Sequence, residues 1–285
     1  MDATVTKRWL LARLYEPEQA IIDCRFTLGK PEAGRESYEQ EHIPGAVYLD
    51  LELDLSSPVG MHGGRHPLPD PQVLAARLAK LGIGNDSRIV AYDDESSMNA
   101  ARLWWLLRYL GHEQVFILEG GFSQWKAGKY PVTDHQPVRV PSTFTANVQT
   151  QMLVDVEEVR RVSEKTADAG ADAANTILID SRANERYHGR NETLDPVGGH
   201  IPGAVNYFWK DTQNADGSFK SADELAAHFA GLDKEAEIIV YCGSGVTACP
   251  NVLALEKAGY KNVRLYAGSW SDWISYEENA VATGE

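Results

Sequence analysis

The stretch Glu237-Ile238-Ile239-Val240-Tyr241-Cys242-Gly243-Ser244-Gly245-Val246-Thr247-Ala248-Cys249-Pro250 decides the fold. Its opening, one charged residue followed by an apolar, β-branched run, predicts a buried strand over 237–241. From Cys249 to Lys257 the apolar Val252, Leu253 and Leu255 lead to Gly259, a residue suited to ending a helix. Pro250 fits the first helical turn, where its missing N–H costs nothing. Cys242 is thus expected at a strand end, in a Gly-rich loop that feeds a helix N-terminus. Unpaired N–H groups and the helix dipole favour an anion there, so a cysteine at this address is expected to act as a thiolate nucleophile. Cys249 lies within the helix and reads as packing. C-x6-C is not a zinc spacing, and neither a metal site nor a cofactor is expected.

Working outward, the chain repeats itself. Ile22-Asp23-Cys24-Arg25 is echoed by Ile179-Asp180-Ser181-Arg182, and His42-Ile43-Pro44-Gly45-Ala46-Val47 by His200-Ile201-Pro202-Gly203-Ala204-Val205. Ile89-Val90-Ala91-Tyr92 parallels Ile238-Ile239-Val240-Tyr241, and Gly120-Gly121-Phe122-Ser123-Gln124-Trp125 parallels Gly268-Ser269-Trp270-Ser271-Asp272-Trp273. Near-constant offsets over most of the chain mean a duplicated domain rather than a short-period solenoid. Within the first copy, strands over 20–24 and 88–92 alternate with helical segments over 71–80, 100–110 and 122–127. The expectation is an α/β protein with two tandem domains, each a mainly parallel central sheet flanked by helices. The proline-containing stretch 131–151 reads as a linker between domains 1–130 and 152–285. Ligand sites of such sheets lie beyond the strands' carboxyl ends, where Cys242 is placed. Opposite Cys242 the first copy carries Asp93, in a loop (Asp93-Asp94-Glu95-Ser96-Ser97-Met98) without glycine, expected to offer neither nucleophile nor anion cradle.

Composition narrows the function. With 285 residues, 43% hydrophobic and 24% charged, the chain is of ordinary globular character. A formal net charge of −14 argues against nucleic acid or an anionic membrane as partner. Three cysteines make no disulfide framework, which favours a reducing, cytoplasmic compartment. The first residues, MDATVTKRWLLARLYEPEQ, read as an amphipathic helix rather than a signal peptide, and no apolar run approaches the ~18 residues of a membrane span.

Taken together and in order, the paired D-[CS]-R strand ends, HIPGA segments, G-x-[FW]-x-x-W segments and the Cys242 loop resemble the tandem-domain rhodanese family of thiosulfate and 3-mercaptopyruvate sulfurtransferases. The resemblance implies two rhodanese-like domains, the second catalytic. It implies that Cys242 accepts a sulfane sulfur as a persulfide and passes it to cyanide or a thiol, thioredoxin among them. The loop N–H groups of Gly243, Gly245, Val246 and Thr247 would hold the anionic persulfide. Thiosulfate-preferring relatives place cations directly after the cysteine; Gly243-Ser244-Gly245-Val246-Thr247 has none, which resembles the 3-mercaptopyruvate branch. Arg186 matches the family's substrate-binding arginine. Where relatives carry a second arginine, this chain has Asp195, and Arg190 is the expected substitute. Arg182 is the alternative case, an arginine pairing structurally with a carboxylate. A Ser–His–acid relay would here be Ser244 with His66 and one of Glu52, Asp50 or Asp54. His42 and His200, present in both copies, read as structural.

Three alternatives stand beside this reading. Cysteine phosphatases need C-x5-R, and the sixth residue after Cys242 is Ala248, which removes them. Thiosulfate as donor, and a non-enzymatic persulfide carrier or interaction module on the same fold, remain as alternatives.

Overall fold

The computed structural model describes residues 2–94, 96–169 and 175–284. Glu95, one of the three carboxylates expected in the first-copy loop, lies outside them. The chain divides into two compact units. Unit 1 comprises Met1–Ser57, Pro69–Gln149 and Asn214–Ser218; unit 2 comprises Pro58–Leu68, Thr150–Gln213 and Phe219–Glu285. A short piece of the first half, 58–68, therefore belongs to the second unit. The backbone between His62 and Leu68 has its partners there, as the site below shows.

Unit 1 runs β1 (Thr4–Val5), α1 (Lys7–Leu11), β2 (Gln19–Asp23), α2 (Ala33–Gln40), β3 (Ala46–Tyr48), α3 (Pro71–Lys80), β4 (Arg88–Tyr92), α4 (Met98–Tyr109), β5 (Val115–Leu118) and α5 (Gly121–Ala127). The sheet order is β1-β5-β4-β2-β3, every neighbouring pair parallel. Runs such as Gln19-Ala20-Ile21-Ile22-Asp23 are buried throughout, as strands covered on both faces must be. Unit 2 runs α6 (Val156–Ala169), β6 (Thr176–Asp180), α7 (Asn184–Tyr187), β7 (Val205–Asn206), α8 (Ala222–His228), β8 (Glu237–Tyr241), α9 (Ala248–Lys257), β9 (Val263–Leu265) and α10 (Ser269–Trp273). Its order, β7-β6-β8-β9 and again all parallel, repeats β3-β2-β4-β5. Where β1 sets Val5 opposite Leu118, unit 2 retains one bridge, Leu153 opposite Leu265.

The repeated motifs build the same joint in each unit. Asp23 pairs with Arg25 at 2.6 Å and Asp180 with Arg182 at 2.6 Å, both carboxylates fully buried. Each guanidinium lies over a ring of the following G-x-[FW] segment, Arg25 over Phe122 at 4.2 Å and Arg182 over Trp270 at 4.6 Å. His42 stacks on Tyr38 and His200 on Tyr187. Each histidine holds a backbone carbonyl of its stacking partner through Nδ1. Burial lowers the pKa of the His200 ring. His42 and His200 brace the fold, the role expected from their occurrence in both copies.

Two local expectations gave way. The N-terminal segment is a helix only over Lys7–Leu11, because Thr4 and Val5 join the edge of the sheet beside β5. The stretch 131–149 packs on unit 1: Thr133 bridges His42, Arg139 Nη2 donates to the Gly45 carbonyl, and Phe144 is buried. Proline content and missing periodicity mark the lack of regular structure there but say nothing about contact. Among the described residues no helix is long and apolar enough to cross a membrane.

Candidate active site

β8 ends at Tyr241 and α9 begins at Ala248, so Cys242 occupies the strand-to-helix turn at the carboxyl edge of the unit 2 sheet. The loop is fixed from below by α10. The Cys242 N–H donates to Ser269 Oγ at 3.1 Å, and its carbonyl accepts from the Trp270 N–H at 2.9 Å. The Gly243 carbonyl accepts from the Ser271 N–H at 2.9 Å. Gly245 has φ +75°, and any side chain there would collide with the Ala267 carbonyl oxygen, so glycine is required on both counts. Cys242 is 1% exposed, Val246 and Ser244 are buried, and Thr247 caps α9 without a side-chain hydrogen bond. The N–H groups of Gly243, Ser244, Val246 and Thr247 donate to no group among the described residues. Beside a thiol, N–H groups so placed suit an anion. Cys249 is buried in α9 with Sγ 3.3 Å from the Gly245 carbonyl oxygen, and none of the three cysteines is in a disulfide.

The segment 58–68 supplies the opposite side of this site. Gly63 N–H donates to Asp272 Oδ1 at 2.6 Å and Arg65 N–H to Ser271 Oγ at 3.0 Å; His62 reaches Ser275 Oγ and stacks on Tyr276. Gly64, with φ +80°, lies so close to α10 that a β-carbon would meet the Gly268 carbonyl oxygen. Held this way, His66 is buried with Nδ1 2.8 Å from Ser244 Oγ. The sequence-predicted pair is thus brought together. Its proposed acids stand in unit 1. There Asp50 accepts from the Glu52 and Leu53 N–H groups and the Tyr48 hydroxyl, and Asp54 pairs with Arg77 at 2.8 Å. Glu52 is exposed.

Beyond Cys242 stand three guanidiniums and three carboxylates. A β-carbon placed on Gly243 would lie 3.2 Å from Arg65 Nη2 and 3.5 and 3.7 Å from Arg186 Nη2 and Nη1. Asp195 joins the two arginines, its Oδ1 2.5 Å from Arg65 Nη1 and its Oδ2 2.9 Å from Arg186 Nη2. Glu192 accepts from Arg186 Nε at 2.8 Å and lies 3.4 Å from Arg182 Nη1. Burial opposes the charge of Glu192, but the Arg186 bond and the N–H groups of Leu194 and Asp195 hold its carboxyl below the usual carboxylate range. Arg190 is exposed on the loop after α7 and is not one of the groups nearest Gly243; Arg65 has the place expected for it. Sequence reasoning missed Arg65 although it adjoins His66. The available signal was Asp195 itself, since a carboxylate where relatives carry an arginine calls for a cation opposite.

Unit 1 shows what the same turn becomes without a cysteine. Asp93 follows β4, and its carbonyl accepts from the Phe122 N–H as that of Cys242 does from Trp270. Its carboxylate takes the N–H groups of Ser97, Asn99 and Ala100 at 2.8, 2.9 and 3.2 Å. The expectation of no anion cradle in this copy is corrected: a cradle exists and Asp93 fills it. Burial pushes the Asp93 carboxyl up to about 6 despite those three hydrogen bonds. A cleft of about 220 Å³ lies beside it, lined among others by Arg25, Asp94, Met98 and Asn99.

A duplicated parallel α/β fold with a strand–cysteine loop–helix turn in its second half is the architecture of a tandem sulfur-transfer protein. The chain belongs to the rhodanese family, the rhodanese-like domain matching residues 6–128 and 163–276. It is 42% identical over 286 residues to a probable 3-mercaptopyruvate sulfurtransferase of Pseudomonas aeruginosa, with 99% of this chain and 98% of that protein covered. It is 34% identical over 285 residues to the thiosulfate sulfurtransferase of Mus musculus, covering 95% and 92% respectively. The crystal structure of SseA from Escherichia coli, described as a 3-mercaptopyruvate sulfotransferase, superposes with a TM-score of 0.82 at 33% identity, over 95% of this chain and all of that one.

Proposed function

We propose that this protein is a sulfurtransferase that takes the sulfur of 3-mercaptopyruvate onto Cys242 and delivers it to a thiol, such as that of thioredoxin, or to cyanide. The chemistry is assigned to unit 2. The Cys242 thiolate attacks the donor sulfur, the C3–S bond breaks, and its electron pair passes into the enolate of pyruvate. Ser244, oriented by His66, polarises the donor's carbonyl oxygen and relays a proton as the enolate becomes pyruvate. The persulfide's outer sulfur is left as an anion against the loop N–H groups of Gly243, Gly245, Val246 and Thr247. In the second half-reaction the acceptor's thiolate or cyanide attacks that outer sulfur, and Cys242 departs as thiolate. The donor carboxylate is held by Arg186 and Arg65.

The observation that carries this reading is the Cys242 loop, with the N–H groups of Gly243, Ser244, Val246 and Thr247 bonded to no described residue, free of side-chain cations and bonded through Ser244 to a histidine. A dianion needs no hydroxyl–imidazole pair to leave; an enolate does. The two guanidiniums over Gly243 favour a second reading, thiosulfate as donor, since they offer charge from outside the loop. Steady-state transfer to cyanide decides: kcat/KM is expected to be higher for 3-mercaptopyruvate than for thiosulfate. A higher value for thiosulfate overturns the donor assignment, and turnover of neither leaves a persulfide carrier.

A further inference from the structure

Three guanidiniums, Arg65, Arg182 and Arg186, face three carboxylates, Asp180, Glu192 and Asp195, so the wall beside Cys242 is electrically balanced before any donor arrives. Arg182 is matched by Asp180 in the buried joint, and Glu192 sits against Arg186 Nε. Asp195 alone links the two arginines that face the loop. Its side chain is 2% exposed, against 27% and 19% for Arg65 and Arg186, so the carboxylate lies behind and the guanidiniums in front. Its bonds use Arg65 Nη1 and Arg186 Nη2. Arg65 Nη2 and Arg186 Nη1 remain directed at the space over Gly243, 3.2 and 3.7 Å from where a β-carbon would stand.

We propose that Asp195 selects the donor by charge: it clamps Arg65 and Arg186 side by side over Gly243 and cancels one of their charges, so that the site takes a singly charged carboxylate in preference to a dianion. The proposal rests on the sulfurtransferase reading for the identity of the donors, not for the charge preference itself. Two guanidinium nitrogens offer one carboxylate directional hydrogen bonds. A dianion brings a second charge into a site with no surplus cation, away from water, and desolvation of that charge goes uncompensated. Removing the Asp195 charge leaves one net positive charge a few ångströms from the donor, which attracts a dianion about twice as strongly as a monoanion. Asp195 is therefore a positioning and specificity residue that touches the arginines rather than the reacting atoms.

The test compares the full-length protein with Asp195→Asn, Asp195→Glu and Arg65→Gln, using 3-mercaptopyruvate and thiosulfate as donors and cyanide as acceptor. In Asp195→Asn the ratio of kcat/KM for mercaptopyruvate to that for thiosulfate is expected to fall at least tenfold, through KM for thiosulfate. Asp195→Glu, which keeps the charge, should hold the ratio within about threefold. Arg65→Gln, at a partly exposed site, should move the ratio at least tenfold the other way. Calorimetric titration of the resting proteins with sulfate and pyruvate, which carry no transferable sulfur, reads the same preference without turnover. Sulfate affinity should rise about 100-fold in Asp195→Asn against about tenfold for pyruvate, as a doubled attraction requires. Equal changes for both donors, an unmoved ratio in Arg65→Gln, or absence of anion binding overturns the role of Asp195. A wild-type protein inactive with both donors whose sulfate affinity still shifts overturns the function and leaves the charge selection standing.

Discussion

His66 Nδ1 lies 2.8 Å from Ser244 Oγ, joining residues 178 positions apart in the chain, and both are buried. An imidazole held so close fixes the hydroxyl's direction and is placed to exchange a proton with it. Ser244→Ala and His66→Ala should each lower kcat with 3-mercaptopyruvate by about 100-fold, in the range of lost acid–base catalysis. The double variant should fall little further, because the two act as one unit. Thiosulfate releases sulfite without protonation at carbon, so its kcat should change far less. Equal losses with both donors would contradict the proton role.

Cys242→Ser is expected to abolish transfer with every donor, while Cys249→Ser keeps most activity. Mass spectrometry after donor treatment without acceptor should find one added sulfur atom, on the peptide containing Cys242. Substantial turnover in the Cys242 variant would remove the persulfide mechanism.

Two arginines four residues apart should separate cleanly. Arg182→Ala strips the fully buried Asp180 of its partner and should cost about 3–5 kcal/mol in urea unfolding. Arg186 is partly exposed, and when it is removed its buried partners Asp195 and Glu192 keep Arg65 and Arg182. Arg186→Ala should raise KM for the donor with stability changed by about 1 kcal/mol or less. An unchanged KM would sink its binding role.

Asp93 makes a pH-dependent contribution of unusual sign. Its folded value, about 6, stands above the ordinary 3.8, so the native state retains a proton that the unfolded chain has lost. This contribution favours folding at the acid side of the window and is lost as pH rises through about 6. Asp93→Asn should remove that falling component. The check is the difference between wild-type and variant unfolding free energies from pH 4 to 7; a difference independent of pH would contradict it.

The core of unit 2 was legible because Glu237–Tyr241 is short, β-branched and unbroken, and because the glycines after Cys242 admit few turns. The HIPGA histidines His42 and His200 were legible as scaffold because both copies carry them. What could not be read was contact between distant stretches. Arg65 and Asp195 stand 130 residues apart, and only the fold brings their side chains together. The strap 131–149 lacks periodicity whether it spans solvent or lies on a domain, so its packing on unit 1 left no trace in its composition. The Asp93 cradle was hidden for a related reason: absence of glycine suggested a closed loop, whereas the loop's N–H groups converge on a side chain of their own.

That cradle separates the two halves by where their counter-ion comes from. Unit 1 carries its anion covalently, as the Asp93 carboxylate above about pH 6. The matching turn of unit 2 has to recruit one. An anion held by the N–H groups there adds charge-assisted hydrogen bonds to the turn. On the proposed cycle, sulfur-loaded and sulfur-free protein are therefore two different stability states of the second half alone. On that cycle each delivery of sulfur should loosen the second half and each reloading tighten it, with the first half unchanged.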